Sequence, residues 1–254
     1  MCKIISISNQ KGGVGKTTTT GALAAGLRKK GHAVLAIDLD PQCNLSFSLG
    51  ADNENNATIY DVLKGNIKTS YAIQHAPVAD IIPATILLSS VELEFTNTGR
   101  EFLLREVLTP ISDLYDYILI DTPPALSILT INAFTASDYI IVPMLSDIFS
   151  LQGIAQLYDT VDRVRKYCNP RLQIAGILLT KFNPRTLLST EIKGTAEMIS
   201  KDLGIFLFDT FIRSSITVSE AQSVQCNILD YSPRNHAVAD YCQFMDELFQ
   251  KGIC

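Results

Sequence analysis

Six short apolar runs recur along the chain, at 3–8, 33–38, 80–83, 117–121, 139–143 and 174–180. Four of them are almost unbroken Ile, Val, Leu and Ala, which suits strands buried on both sides better than strands with one wet face. Longer stretches between them return to apolar residues at helical spacing, at 16–30, 99–108, 148–167, 190–203 and 235–250. In the second of these, Phe102, Leu103, Val107 and Leu108 form the stripe. Alternating strand and helix predicts an α/β fold, a doubly wound, mostly parallel sheet with helices on both faces. The polar run 52–56 reads as a loop, and neither an internal repeat nor a low-complexity linker breaks the pattern, so one domain over 1–254 is expected.

The first strand leads into Gln10-Lys11-Gly12-Gly13-Val14-Gly15-Lys16-Thr17-Thr18 and then a helix. Strand, glycine-rich turn, Lys-Thr and helix in that order are the context of a phosphate-binding P-loop. Glycines let backbone N–H groups curl round phosphate oxygens, while the helix N-terminus adds partial positive charge. Residues 11–18 are therefore candidates for holding ATP. Lys16 would reach the β- and γ-phosphates, and the Thr17 hydroxyl would ligate Mg²⁺. Gln10 stands where the ordinary Walker pattern has glycine, and Lys11 adds a second lysine, the deviant Walker A signature. Taken alone, Lys11 reads equally as a solvated surface charge.

Acids follow two later strands, in Asp38-Leu39-Asp40-Pro41-Gln42 and Asp121-Thr122-Pro123-Pro124. Ligands of open α/β sheets bind beyond the carboxyl ends of the strands, so these acids should converge on the P-loop. Asp121, after four apolar residues, is the Walker B candidate for Mg²⁺, directly or through water. Only one of Asp38 and Asp40 is expected to face the phosphate easily. Asp40 is the candidate for positioning the attacking water, and Asp38 for supporting Mg²⁺ or the loop.

An apolar share of 47% against a charged share of 19% excludes a disordered or fibrous chain. The net charge of -5 excludes a uniformly basic surface, so any DNA contact must come from a local patch or from assembly of subunits. Six cysteines without a C-x-x-C pair fit neither a zinc site nor a disulfide framework, and point to reduced thiols in the cytoplasm. Neither an N-terminal signal nor an apolar run near the ~20 residues of a membrane span is present, so a soluble protein is expected.

In order and spacing the three motifs resemble those of the ParA/Soj partition ATPases, in the wider ParA/MinD superfamily, and the likeness runs essentially end to end. That resemblance implies ATP and Mg²⁺ as cofactors and an ATP-dependent homodimer in which Lys11 of each subunit reaches the phosphates held by the other, with Gly12 kept small at the seam. It further implies that the dimer binds non-specific DNA on the nucleoid, and that a ParB-like centromere-binding protein stimulates hydrolysis and release. Asn183-Pro184-Arg185-Thr186 resembles the family segment around a DNA-contacting arginine, which makes Arg185 the first DNA candidate. Residues 211–221 resemble Ile-Pro-Arg-Asn-Val-Arg-Leu-Ser-Glu-Ala, with Arg213 and Ser215 replacing the proline and asparagine of the base pocket and Thr217 replacing the second arginine. Arg213 is thus a candidate for both base and DNA contact. Arg163, Arg165, Lys166, Lys181, Lys193 and Arg234 would widen a DNA patch if the fold gathers them.

Rival readings make distinct demands. A MinD-like membrane ATPase ends in a basic amphipathic helix, whereas this chain ends with Asp240, Asp246 and Glu247 and a late Lys251, so no membrane contact is expected. A metabolic synthetase on this scaffold needs a substrate pocket beyond the ATP site. Tyr231 and Tyr241 are isolated, unlike the clustered tyrosines of kinase relatives, and the cysteines do not suit an iron–sulfur cluster. The P-loop begins almost immediately, so an N-terminal operator-binding domain is not expected.

Overall fold

A computed structural model describes residues 2–254, with 148–152 by backbone alone. Among the described residues one sheet contains β1 (Lys3–Ile7), β2 (Val34–Asp38), β3 (Gln74–His75), β4 (Asp80–Ile82), β5 (Tyr117–Asp121), β6 (Tyr139–Leu145), β7 (Gln173–Phe182) and β8 (Ile212–Arg213). Their order is β3-β4-β2-β5-β1-β6-β7-β8, and every pair is parallel except the edge pair β3–β4. The helices are α1 (Lys16–Lys29), α2 (Asn44–Ser48), α3 (Ile59–Leu63), α4 (Val91–Glu94), α5 (Leu103–Leu108), α6 (Ile128–Ala136), α7 (Ile148–Tyr167), α8 (Leu187–Leu203), α9 (Ile216–Ser223), α10 (Ile228–Tyr231) and α11 (His236–Gln250).

Because successive strand side chains alternate in direction, the same strands feed two cores. Leu35 and Ile37 of β2 and Ile118 and Ile120 of β5 pack with α3, α5, α6, α7 and α8. Val34, Ala36, Tyr117 and Leu119 face the other way, with Ile5 and Ile7, onto Leu23 and Leu27 of α1 and Phe244 and Leu248 of α11. This is the doubly wound P-loop arrangement that the alternation predicts. All six expected strands form. The sequence reading lacks β3 and β8, which are two residues each, and α6, whose residues are buried almost all round and so carry no stripe.

The chain runs from β1 outward to β2 and β4, then returns through β5, beside β1, before building β6, β7 and β8 on the opposite side. The reversal places the carboxyl end of β1 at the switch point, where a sheet of this kind opens a ligand crevice.

Candidate active site

β1 and β2 end on either side of β5, with Ile7 and Asp38 both in register with Asp121. The loop after β1 is held at its entry by Asn9, whose Oδ1 accepts from the Lys11 N–H at 3.0 Å and whose Nδ2 donates to the Pro143 carbonyl at 2.7 Å. At its far side the Val14 carbonyl accepts from the Thr180 hydroxyl at 2.7 Å, tying the loop to β7. Gly13 and Gly15 take φ of 72° and 90°, a left-handed backbone natural only to glycine, and a Cβ on Gly12 or Gly13 would point into open space. Gly15 begins α1 without a side-chain cap. The first-turn N–H groups are thereby left for an anion, which an uncapped helix N-terminus attracts.

Above this loop lies a cavity of about 460 Å³, within the usual range for a small-molecule site. Gly12, Gly13, Gly15, Lys16, Thr17 and Thr18 form its floor, Asp40 and Phe47 one wall, and β8 with α9 the other. Lys16 is buried, and its ammonium spans the loop to the Lys11 carbonyl at 3.2 Å. Burial lowers its pKa, partly countered by Asp121 and Asp40. Thr18 accepts a hydrogen bond from Gln222 Nε2 at 3.2 Å, linking the loop to α9.

Thr17 donates its hydroxyl to Asp121 Oδ2 at 2.6 Å, while Oδ1 of the same wholly buried carboxylate has no partner among the described residues. Burial, reinforced by Asp38, raises the Asp121 pKa well above the carboxylate range. A hydroxyl and a carboxylate with an unsatisfied oxygen beside a phosphate loop suit Mg²⁺, which takes one or two protein oxygens and completes its shell with water and phosphate.

Asp40 lines the cavity, its Oδ1 accepting from the Gln42 N–H at 3.0 Å. Asp38 does not line it. Its Oδ1 accepts from the Asp40 N–H at 3.0 Å, and its Oδ2 from the Ser46 N–H and hydroxyl at 2.8 and 2.7 Å. Both oxygens are engaged in protein contacts, so of the two supporting roles expected for Asp38, Mg²⁺ or the loop, its contacts are those of the loop: it holds the turn that carries Asp40. Burial still pushes its carboxyl up to about 6, against the effect of the Ser46 hydrogen bonds.

Lys11 is turned back onto its own chain, with Nζ 2.6 Å from Asp147 Oδ2. Arg213 and Ser215 both line the cavity. Arg213 is bidentate to the buried Asp240, through Nε at 2.9 Å and Nη2 at 2.6 Å, so its charge is neutralised and the expected DNA contact does not fit it. Arg185 is exposed on the loop before α8, its N–H held by Asn183 Oδ1 at 3.1 Å, and does not line the cavity. Of the other basic candidates, Lys181 lines the cavity, Arg165 donates to the Leu172 carbonyl, and Lys193 pairs with Glu197.

Sequence reasoning did not name Asn9, Asp147, Thr180 or Gln222 for the site, and took Asp240 only as one acid of the last helix. Asp147 was accessible through the strand-end rule, because it follows β6, the neighbour of β1. Asp240 sits mid-helix with no local signal.

Residues 2–174 match the AAA domain family. The sporulation initiation inhibitor protein Soj of Bacillus subtilis is 39% identical over 256 residues, covering 99% of this chain and all of that one. The chromosome partitioning protein ParA of Caulobacter vibrioides is 39% identical over 255 residues, covering 98% of this chain and 94% of its own. Among solved structures, a cobyrinic acid a,c-diamide synthase from Mycobacterium smegmatis with bound ATP analogue and magnesium superimposes with a TM-score of 0.88 at 29% identity, over 98% of this chain and 95% of that one.

Proposed function

This chain belongs to the AAA domain family and, within it, to the ParA/Soj-type P-loop ATPases, and from that premise we propose that it is a partition ATPase whose ATP-bound homodimer holds DNA until hydrolysis releases it. The observation that carries the reading is the Thr17–Asp121 contact, with its unsatisfied carboxylate oxygen, under a glycine loop that also carries Lys11. The loop N–H groups and Lys16 would bind the phosphates of ATP. Thr17 and Asp121 would hold Mg²⁺, which would offset the negative charge of the phosphates. Asp40, fixed by the Asp38 turn, would orient the attacking water and accept its proton.

Lys11 would leave Asp147 and cross to the partner's phosphates, coupling dimer formation to ATP. Salt-sensitive contacts from exposed basic residues, Arg185 first, would hold DNA phosphates without reading sequence. A ParB-like centromere-binding protein would stimulate hydrolysis. One observation weighs against the membrane rival: the apolar face of α11 is buried against α1 instead of being offered to lipid.

DNA co-sedimentation of the wild type and Asp40→Ala with ATP, ADP or no nucleotide, at low and moderate salt and beside anionic liposomes, tests this. Salt-sensitive DNA binding with ATP alone, prolonged in the variant, is expected. Binding to liposomes but not DNA would replace this reading with a membrane ATPase, and binding to neither with a metabolic enzyme.

A further inference from the structure

The turn that carries Asp40 is tied to the sheet through a buried hydroxyl. Ser46, on α2, donates its hydroxyl to Asp38 Oδ2 at 2.7 Å and accepts from the Ala84 N–H at 2.9 Å. An amide N–H only donates, so the Ser46 oxygen must accept from Ala84, and its one proton is left for Asp38. Asp38 passes the constraint on, because its other oxygen accepts from the Asp40 N–H at 3.0 Å. Ala84 follows β4, whose Ile82 is in register with Ile37 of β2. A chain of hydrogen bonds therefore runs from the end of β4 through Ser46 and Asp38 to the backbone of Asp40. Ser46, Ala84 and Asp38 are all buried, so water does not compete for these bonds, and each member of the chain polarises the next. Asn44, Phe47 and Ser48 of the same short helix line the cavity with Asp40 and Gln42, whereas Ser46 does not line it.

We propose that Ser46 is a positioning residue for ATP hydrolysis: its hydroxyl, braced by Ala84 at the end of β4, fixes the turn so that the Asp40 carboxylate stands where it orients the attacking water. The proposal rests on the hydrolytic role given to Asp40 above, and Ser46 acts through Asp38 and Asp40 without touching the ligand. Removing the hydroxyl leaves the Ala84 N–H buried without an acceptor and takes away one of the three donors that hold the Asp38 carboxylate. The phosphate loop and Lys16 are held by other bonds, from Asn9, Thr180 and the Lys11 carbonyl. Turnover and nucleotide affinity should therefore separate when Ser46 is changed.

The test compares the full chain as wild type, Ser46→Ala, Ser46→Thr and Asp40→Ala, each checked for a cooperative thermal transition. Phosphate release at saturating Mg²⁺·ATP gives kcat, and calorimetric titration gives the Kd of ATP. Ser46→Ala should lose about tenfold in kcat while its Kd changes by less than about twofold, the signature of a small misplacement of a catalytic group. Ser46→Thr keeps the hydroxyl and should recover most of that kcat. Wild-type kcat in Ser46→Ala would overturn the positioning role, and so would a loss of kcat matched by an equal loss of ATP affinity, which marks a residue that only supports the wall. Equal losses in Ser46→Ala and Ser46→Thr would overturn it as well. Should Ser46→Thr fail to fold, amide hydrogen exchange of Ser46→Ala takes its place: faster exchange at Ala84 and Asp40 supports the brace, and wild-type exchange there refutes it. If Asp40→Ala turns over ATP as fast as wild type, the role of Asp40 falls and that of Ser46 with it. If Asp40→Ala is slow and Ser46→Ala is not, the inference about Ser46 alone falls.

Discussion

Replacing Asp121 by Asn should stabilise the free protein while disabling its response to Mg²⁺·ATP. In the free chain this carboxylate is wholly buried, with one oxygen on Thr17 and the other unpaired. Burial first, then Asp38, raises its pKa, so the ionised form is disfavoured in the folded state. Asn keeps the shape and the acceptor for Thr17 and removes the charge. Leaving a buried acceptor unsatisfied costs about 1–3 kcal/mol, and more when it is charged. Taking a relief of about 2 kcal/mol, the Tm of a chain this size should rise by roughly 4–8 °C. The sign with pH follows from the raised pKa. The protonated carboxyl keeps its full contribution below the unfolded value and loses it as pH rises through the folded one, whereas Asn does not titrate. The gain is therefore smallest near pH 5 and largest near pH 8. Ligand reverses the order, because wild type gains about 2.7 kcal/mol at a hundredfold excess over Kd, and the variant, without its carboxylate, gains less. Thermal melts of both proteins from pH 5 to 8, with Mg²⁺·ATP or with EDTA, decide the matter. A lower Tm for the free variant at pH 8, or an equal ligand-induced rise, would refute the reasoning.

Further outcomes follow from other contacts. Asp147→Asn removes the charge that holds Lys11 at home; the pair is about a third exposed and so modest in strength. The ATP concentration for half-maximal dimerisation, by analytical ultracentrifugation, should fall about two- to fivefold. Gly26→Ala places a Cβ 2.0 Å from Met245 Sδ, between α1 and α11. The helix gains about 1 kcal/mol and overpacking costs about 1–3, so urea unfolding should show a net loss for Gly26→Ala in the wild type that disappears when the same change is measured against Met245→Ala alone. Gln225 is exposed just after α9 with φ of 54°, where glycine is at ease. Gln225→Gly should therefore raise stability by about 0.5–1 kcal/mol in the same assay.

Local pattern determined much of this protein. The apolar runs set the strands, because a strand buried on both faces must be apolar throughout, and Gly13, Gly15, Lys16 and Thr17 announced a phosphate loop, because consecutive residues build it. Strand-end acids could be assigned to one crevice, since in parallel sheets all carboxyl ends share an edge. Within that crevice the pattern named Asp40 for the attacking water without showing what separates it from Asp38. Asp38 and Asp40 are two residues apart, and only the folded turn shows Ser46 closing over the first while the second lines the cavity. Nor could it pair Arg213 with Asp240, or Lys11 with Asp147, which lie 27 and 136 residues apart. Such partners are chosen by where β8, α11 and β6 come to rest in the sheet, and burial and distance there decide which charges are neutralised and which remain for a ligand.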